Sequence, residues 1–165
     1  MTNSVKNINM LDAVKLFFKN YFNFSSRASR GEYWWFTLAY LIACIACFIA
    51  DWIIFYTLFD QAWYENFGFF INILSLATFI GYISLTSRRL QDAGRSGWWQ
   101  IVYIAGYIPI LIFMIIGIIL DSMLFYVITA LLGLAYVAFL ILILVWLISP
   151  PLEDENQWGR NPLID

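Results

Sequence analysis

The stretch Ser87-Arg88-Arg89-Leu90-Gln91-Asp92-Ala93-Gly94-Arg95-Ser96-Gly97-Trp98-Trp99 decides how the chain folds. Long apolar runs flank it on both sides, and it holds three of the nine basic residues within eight positions. It then passes through a Gly-Arg-Ser-Gly turn into a pair of tryptophans. A charged stretch set between apolar runs reads as the loop at which two membrane-spanning hairpins meet.

Composition points the same way. Of 165 residues, 62% are hydrophobic and only 12% charged, about half the share usual in a soluble domain. A water-soluble domain of this size has too little interior to hide so much apolar surface. The expected fold class is an all-α integral membrane protein with four transmembrane helices in two hairpins, preceded by an N-terminal amphipathic interfacial helix. The polar first nine residues carry no signal-peptide pattern, so the first span is expected to serve as an uncleaved anchor.

Residues 1–32 are expected to form a cytoplasmic segment with an amphipathic helix over 9–23. Met10, Leu11, Val14, Phe17, Phe18, Tyr21 and Phe22 form one face at a period of 3.6, and Lys15 and Lys19 lie towards the other. Asn9 is placed to cap the helix, with Asp12 in its first turn. Such a helix suits a membrane surface; docking on the protein itself is the alternative.

The membrane domain is expected over 33–149, with spans at about 34–58, 67–86, 98–120 and 123–148. Trp34 and Trp35 mark the entry of the first span at headgroup level. Asp51 lies 17 residues beyond Trp34, about 25 Å of helix. It is either an intramembrane charge of functional weight or a carboxylate at the far interface beside Trp52. Asp60, Trp63 and Glu65 fall in the loop after the first span. Ser75, Thr78, Gly81, Tyr82, Ser84 and Thr86 make the inner half of the second span polar, which suits interhelical packing or a pathway. Pro109 is expected to bend the third span. Asp121-Ser122 reads as a tight turn with an N-cap. Pro150-Pro151 ends the fourth span, and 150–165 form a tail with acids first and a turn-rich Trp-Gly element after them.

The two loops at the far ends of the hairpins carry no basic residue. Lys6, Lys15, Lys19, Arg27 and Arg30 precede the first span, Arg88, Arg89 and Arg95 lie between the second and third, and Arg160 lies in the tail. With four spans all nine fall on one side, which predicts that both termini and the central stretch are cytoplasmic.

Three motif blocks carry a resemblance. They are Arg27-Ala28-Ser29-Arg30-Gly31-Glu32-Tyr33-Trp34, Arg88 through Trp98, and Asn156-Gln157-Trp158-Gly159-Arg160-Asn161-Pro162. The chain resembles the bacterial YhaH/YhaI-like inner-membrane family, domain of unknown function 805, over about residues 20–165. Gln91 stands where family members often have His, and Ser26 where they often have Gly. The resemblance implies a multi-pass inner-membrane protein and supplies no activity.

The blocks converge on one chemistry at the expected cytoplasmic face. Arg88, Arg89 and Arg95, joined by Arg27 and Arg30, could bind an anion, with Gly94 and Gly97 turning backbone N–H groups towards it and Ser96 capping the third span. An anionic phospholipid headgroup is the nearest abundant phosphate. The competing reading is a polar network of Glu32, Asp92 and Asn156 with the arginines, holding the hairpins together without a ligand. A small oligomeric transporter or channel using Asp51 is a further reading, and a homo-oligomer or membrane-protein partner stays open. Nothing points to nucleic acid. No cofactor or metal is expected, because there is no histidine and Cys44 and Cys47 lie in an apolar run where a thiolate is hard to form. No phosphate-binding loop or nucleophile elbow signals an enzyme.

Overall fold

A computed structural model describes residues 7–58 and 68–163, with side chains left undescribed at 56–58. Lys6, Asp60, Trp63, Glu65 and Phe67 therefore lie outside the described residues. Helix α1 is Met10–Lys19, α2 is Arg30–Asp51, α3 is Phe69–Asp92, α4 is Trp99–Ala105, α5 is Tyr107–Leu120 and α6 is Met123–Ile148. A two-residue hairpin, β1 Glu155–Asn156 and β2 Gly159–Arg160, follows in the tail. The backbone widens into π-helical turns over Trp52–Leu58. Four helical stretches are long and apolar enough to cross a bilayer: Arg30–Phe55, Phe69–Asp92, Trp99–Leu120 and Met123–Ile148.

The first of these starts earlier than the tryptophans suggest. Ser29 is its N-cap, its Oγ accepting the Glu32 N–H at 3.1 Å. The signal was a serine three residues before a glutamate. Here, though, Glu32 turns its carboxylate to another helix rather than back to the cap.

The second span departs most from expectation. Helix α3 runs past Thr86 to Asp92, so Arg88, Arg89, Gln91 and Asp92 are helical rather than part of a loop. It ends in a Schellman motif. Gly94 takes a left-handed φ of 70°, its N–H donates to Gln91 O at 3.1 Å, and Arg95 N–H donates to Leu90 O at 2.8 Å. Glycine carries this conformation without the steric cost of a Cβ.

The third span is interrupted at Gly106, one turn before Pro109. Proline lacks the N–H that would bond Ala105 and crowds that carbonyl, so the break falls just upstream of the ring. Ser122 holds the N-cap position of α6 without a side-chain bond. The expected cap is instead made by backbone, Phe125 N–H donating to Ser122 O at 3.1 Å.

Helix α1 is shorter than 9–23 and stops at Asn20. Its start is as expected, with Asn9 Oδ1 accepting the Asp12 N–H at 2.9 Å. The apolar stripe is divided between two surroundings. Ala13 and Phe17 are fully buried against α2 and α3, Phe17 stacking on Phe36 with ring centroids 3.7 Å apart. Leu11, Phe18 and Phe22 are exposed on the other edge.

The core is small and lies near the charged ends of the spans. It includes Phe17, Tyr33, Phe36, Leu85, Leu90, Ile143 and Leu147. The rest of the spans expose leucine, isoleucine and phenylalanine on most of their surface, as helices solvated by lipid do.

Candidate functional site

Five of the residues singled out in sequence meet where α2 begins, α3 and α6 end, and the tail folds back. Arg27, Glu32, Arg88, Arg89 and Asp92 are all buried there. Asp92 is the hub. Its Oδ1 accepts from Arg27 Nε at 2.9 Å and its Oδ2 accepts from Arg89 Nη1. Arg88 Nη1 donates to Glu32 Oε1 at 2.6 Å, tying α3 to α2. A buried charge is tolerated when it is paired and hydrogen-bonded.

The guanidiniums of Arg89 and Arg27 do more than pair. Arg89 Nε donates to Leu147 O at 2.9 Å, and its Nη2 donates to Ser149 O. It thereby satisfies carbonyls at the C-terminal end of α6, where the helix leaves them without internal partners. Arg27 Nη2 donates to Glu153 O at 2.9 Å, and Nη1 to Gly159 O at 3.1 Å and Asp154 O at 3.4 Å. The tail therefore meets Arg27 through its carbonyls. Asn156 Nδ2 donates to Gln91 O at 2.9 Å, and its Oδ1 accepts the Trp158 N–H at 2.9 Å, shaping the hairpin turn.

The polar side of α3 serves the chain between α1 and α2. Ser84 Oγ donates to the carbonyls of Asn20 and Asn23 at 2.9 and 2.6 Å. Gln91 Nε2 donates to Phe24 O at 2.8 Å, and Ala28 N–H to Arg88 O at 3.1 Å. Gly81 leaves room for the rings of Phe17 and Tyr21. These residues carry an irregular segment that would otherwise bury unpaired backbone groups.

The sequence-derived anion cluster is thus divided. Arg27, Arg88 and Arg89 are inside the network. The expected nest of N–H donors does not form, because the Gly94 and Arg95 amides go to Gln91 and Leu90 carbonyls. Gly97 instead permits close approach to Ser87. Ser96 does not occupy the cap position of α4, which falls on Trp98; its Oγ accepts the Trp98 N–H at 3.3 Å. Arg95 is exposed, its guanidinium 4.9 Å above the Trp146 ring. Arg30 is also exposed and lines a groove of about 620 Å³ with Trp34, Trp35, Leu38 and Ile148.

Asp51 ends α2 and faces the start of α3. It is buried at 8% exposure, and its Oδ1 accepts the Phe70 N–H at 3.0 Å. The carboxylate of one span thus caps the next. The N-cap position of α3 is Gly68, which has no side chain for the task. Cys44 and Cys47 are free, half-buried thiols. Among the described residues no cluster of His, Cys, Asp and Glu could hold a metal ion.

Residues 21–160 match the family described as "Protein of unknown function (DUF805)". The chain belongs to the DUF805 family. The match takes in the network from Arg27 to the Gly159 carbonyl. Inner membrane protein YhaI of Escherichia coli is 34% identical over 101 residues, covering 59% of this chain and 75% of the relative. Inner membrane protein YhaH of the same bacterium is 31% identical over 97 residues, covering 59% and 76%. No solved structure matches. With four membrane-length apolar helices, this DUF805 chain is a multi-pass inner-membrane protein.

Proposed function

We propose that this DUF805 protein is a structural, lipid-interacting membrane protein that takes an anionic phospholipid headgroup at Arg30, on the cytoplasmic leaflet. The observation that carries the reading is the position of Arg30. It is exposed beside a buried network that already engages Arg27, Arg88 and Arg89, and it shares its groove with Trp34, Trp35, Leu38 and Ile148. A guanidinium suits a phosphodiester through paired hydrogen bonds. The tryptophans suit the headgroup level, and Leu38 and Ile148 suit the acyl chains below it. Lys15 and Lys19 on the open face of α1 add attraction for the same surface.

The transporter reading has less support. One oxygen of Asp51 is engaged at the start of α3, and Ser84, Ser87 and Gln91 reach carbonyls of the segment before α2.

The test is tryptophan quenching in phosphatidylcholine nanodiscs. Brominated phosphatidylglycerol is expected to quench the native protein more than brominated phosphatidylcholine does at equal content, and Arg30→Gln is expected to remove the excess. Equal quenching of the native protein by both lipids would overturn the headgroup assignment.

A further inference from the structure

One cavity lies deeper among the spans, away from the Arg30 groove. It holds about 250 Å³ and is bounded by α2, α3, α4 and α6. Tyr33, Tyr82, Thr86, Gln100 and Tyr103 bring polar atoms to it, and Leu144 stands at its lipid side. None of its described lining residues is charged.

Thr86 is the unusual member. A threonine inside a helix ordinarily returns its hydroxyl to the carbonyl one turn back. Thr37, Thr78 and Thr129 do so here, each at 2.8 Å. Thr86 is 94% buried, being 6% exposed, yet its Oγ1 has no hydrogen-bond partner. The Tyr33 hydroxyl is its neighbour, close enough to interact electrostatically but outside hydrogen-bonding geometry. Buried hydroxyls nearly always find a partner, so one held open in a cavity marks a place for a hydrogen-bonding group.

The surroundings limit what that group is. An uncharged lining disfavours a phosphate or carboxylate, which needs a paired charge when buried. Hydroxyls from Thr86 and Tyr33 can both donate, which suits a carbonyl acceptor. Aromatic rings on several sides suit a flat ring. The cavity exceeds the roughly 150 Å³ that accommodates benzene but remains below the usual range for larger ligands. Tyr103 and Leu144 are exposed towards lipid, so entry is lateral and an apolar tail can remain in the bilayer.

We propose that this cavity binds the ring of a lipid-soluble quinone, its carbonyl oxygen accepting from the Thr86 hydroxyl. An ester carbonyl of a glycerolipid offers similar acceptor chemistry, and the experiment separates the two.

The full-length protein is purified in detergent and titrated with decylubiquinone, with intrinsic fluorescence as the readout. Dioleoylglycerol is the competitor. Thr86→Val removes the hydroxyl and keeps the branch; Leu144→Phe narrows the lipid side. Saturable binding is expected, weakened about five- to tenfold by Thr86→Val, at least tenfold by Leu144→Phe, and resistant to an equal concentration of dioleoylglycerol. Absence of saturable binding would overturn the proposal, as would unchanged affinity in a folded Thr86→Val variant. Displacement by dioleoylglycerol at equal concentration would assign the cavity to an ester lipid instead. Should Thr86→Val not fold, Leu144→Phe decides, and undiminished affinity in that variant overturns the proposal.

Discussion

Asp92 and Arg27, separated by most of two membrane spans in sequence, form a buried ion pair at 2.9 Å. The same guanidinium donates to three carbonyls of the tail, so a single side chain ties the first motif block to the second and third. Arg27→Lys keeps the charge but loses the planar fork that reaches several acceptors at once. The tail from Glu153 to Asn161 is expected to come loose, at about 1 kcal/mol for each hydrogen bond lost. Limited proteolysis checks this: cleavage after residue 152 should quicken in Arg27→Lys while the spans stay intact.

The Arg88–Glu32 pair has few other supports. Arg88 Nε and Nη2 are buried without partners. Removing one member strands the other charge, at about 3–5 kcal/mol, whereas replacing both with apolar residues avoids that penalty. Arg88→Met and Glu32→Leu are each expected to lower the unfolding temperature in detergent, and the double variant should lie closer to the native protein than either single one. A double variant as unstable as the sum of the two would contradict this.

Asp51 caps α3 from the preceding span. Asp51→Asn retains an oxygen acceptor and should cost a few tenths of a kcal/mol; Asp51→Ala should cost about 1 kcal/mol. Denaturation of the two variants side by side measures the difference. An equal loss in the two variants would mean that the carboxylate charge matters more than the cap.

Gly81 is the seat of α1 on α3. A Cβ there runs into the rings of Phe17 and Tyr21, so Gly81→Val should displace α1 at about 1–3 kcal/mol. The Tyr21 hydroxyl, which donates to Ala77 O at 2.7 Å, would lose its partner. Faster proteolysis between residues 20 and 28 is the readout, and unchanged cleavage would contradict the packing.

Much of this was legible in sequence, and the reasons are physical. Apolar runs of membrane length are strong signals, so four spans and their order follow from composition alone. Asn9 as a cap was legible because its chemistry is local. The extent of α3 was not. Arg88, Arg89 and Asp92 look like loop residues when charge alone is read, but partners from α2, α6 and the segment before α2 let them remain helical and buried. The arginines therefore read as a ready anion site until tertiary contacts show them already engaged. Gly94 misled for a similar reason, since a glycine that ends a helix and one that cradles an anion look alike in sequence. The split stripe of α1 was half legible: periodicity predicts one apolar face, while only packing shows Phe17 turned to protein and Phe18 away from it.

The arginines divide into those locked in the Asp92 network and Arg30, which is exposed beside it. Thermal unfolding of Asp92→Asn and Arg30→Gln in the same detergent separates the two roles. Asp92→Asn strips two buried guanidiniums of their carboxylate and is expected to lower the unfolding temperature by about 10 °C. Arg30→Gln is expected to stay within about 2 °C of the native protein, as exposed charges contribute little to stability. Equal losses in the two variants, or the larger loss in Arg30→Gln, would contradict that division.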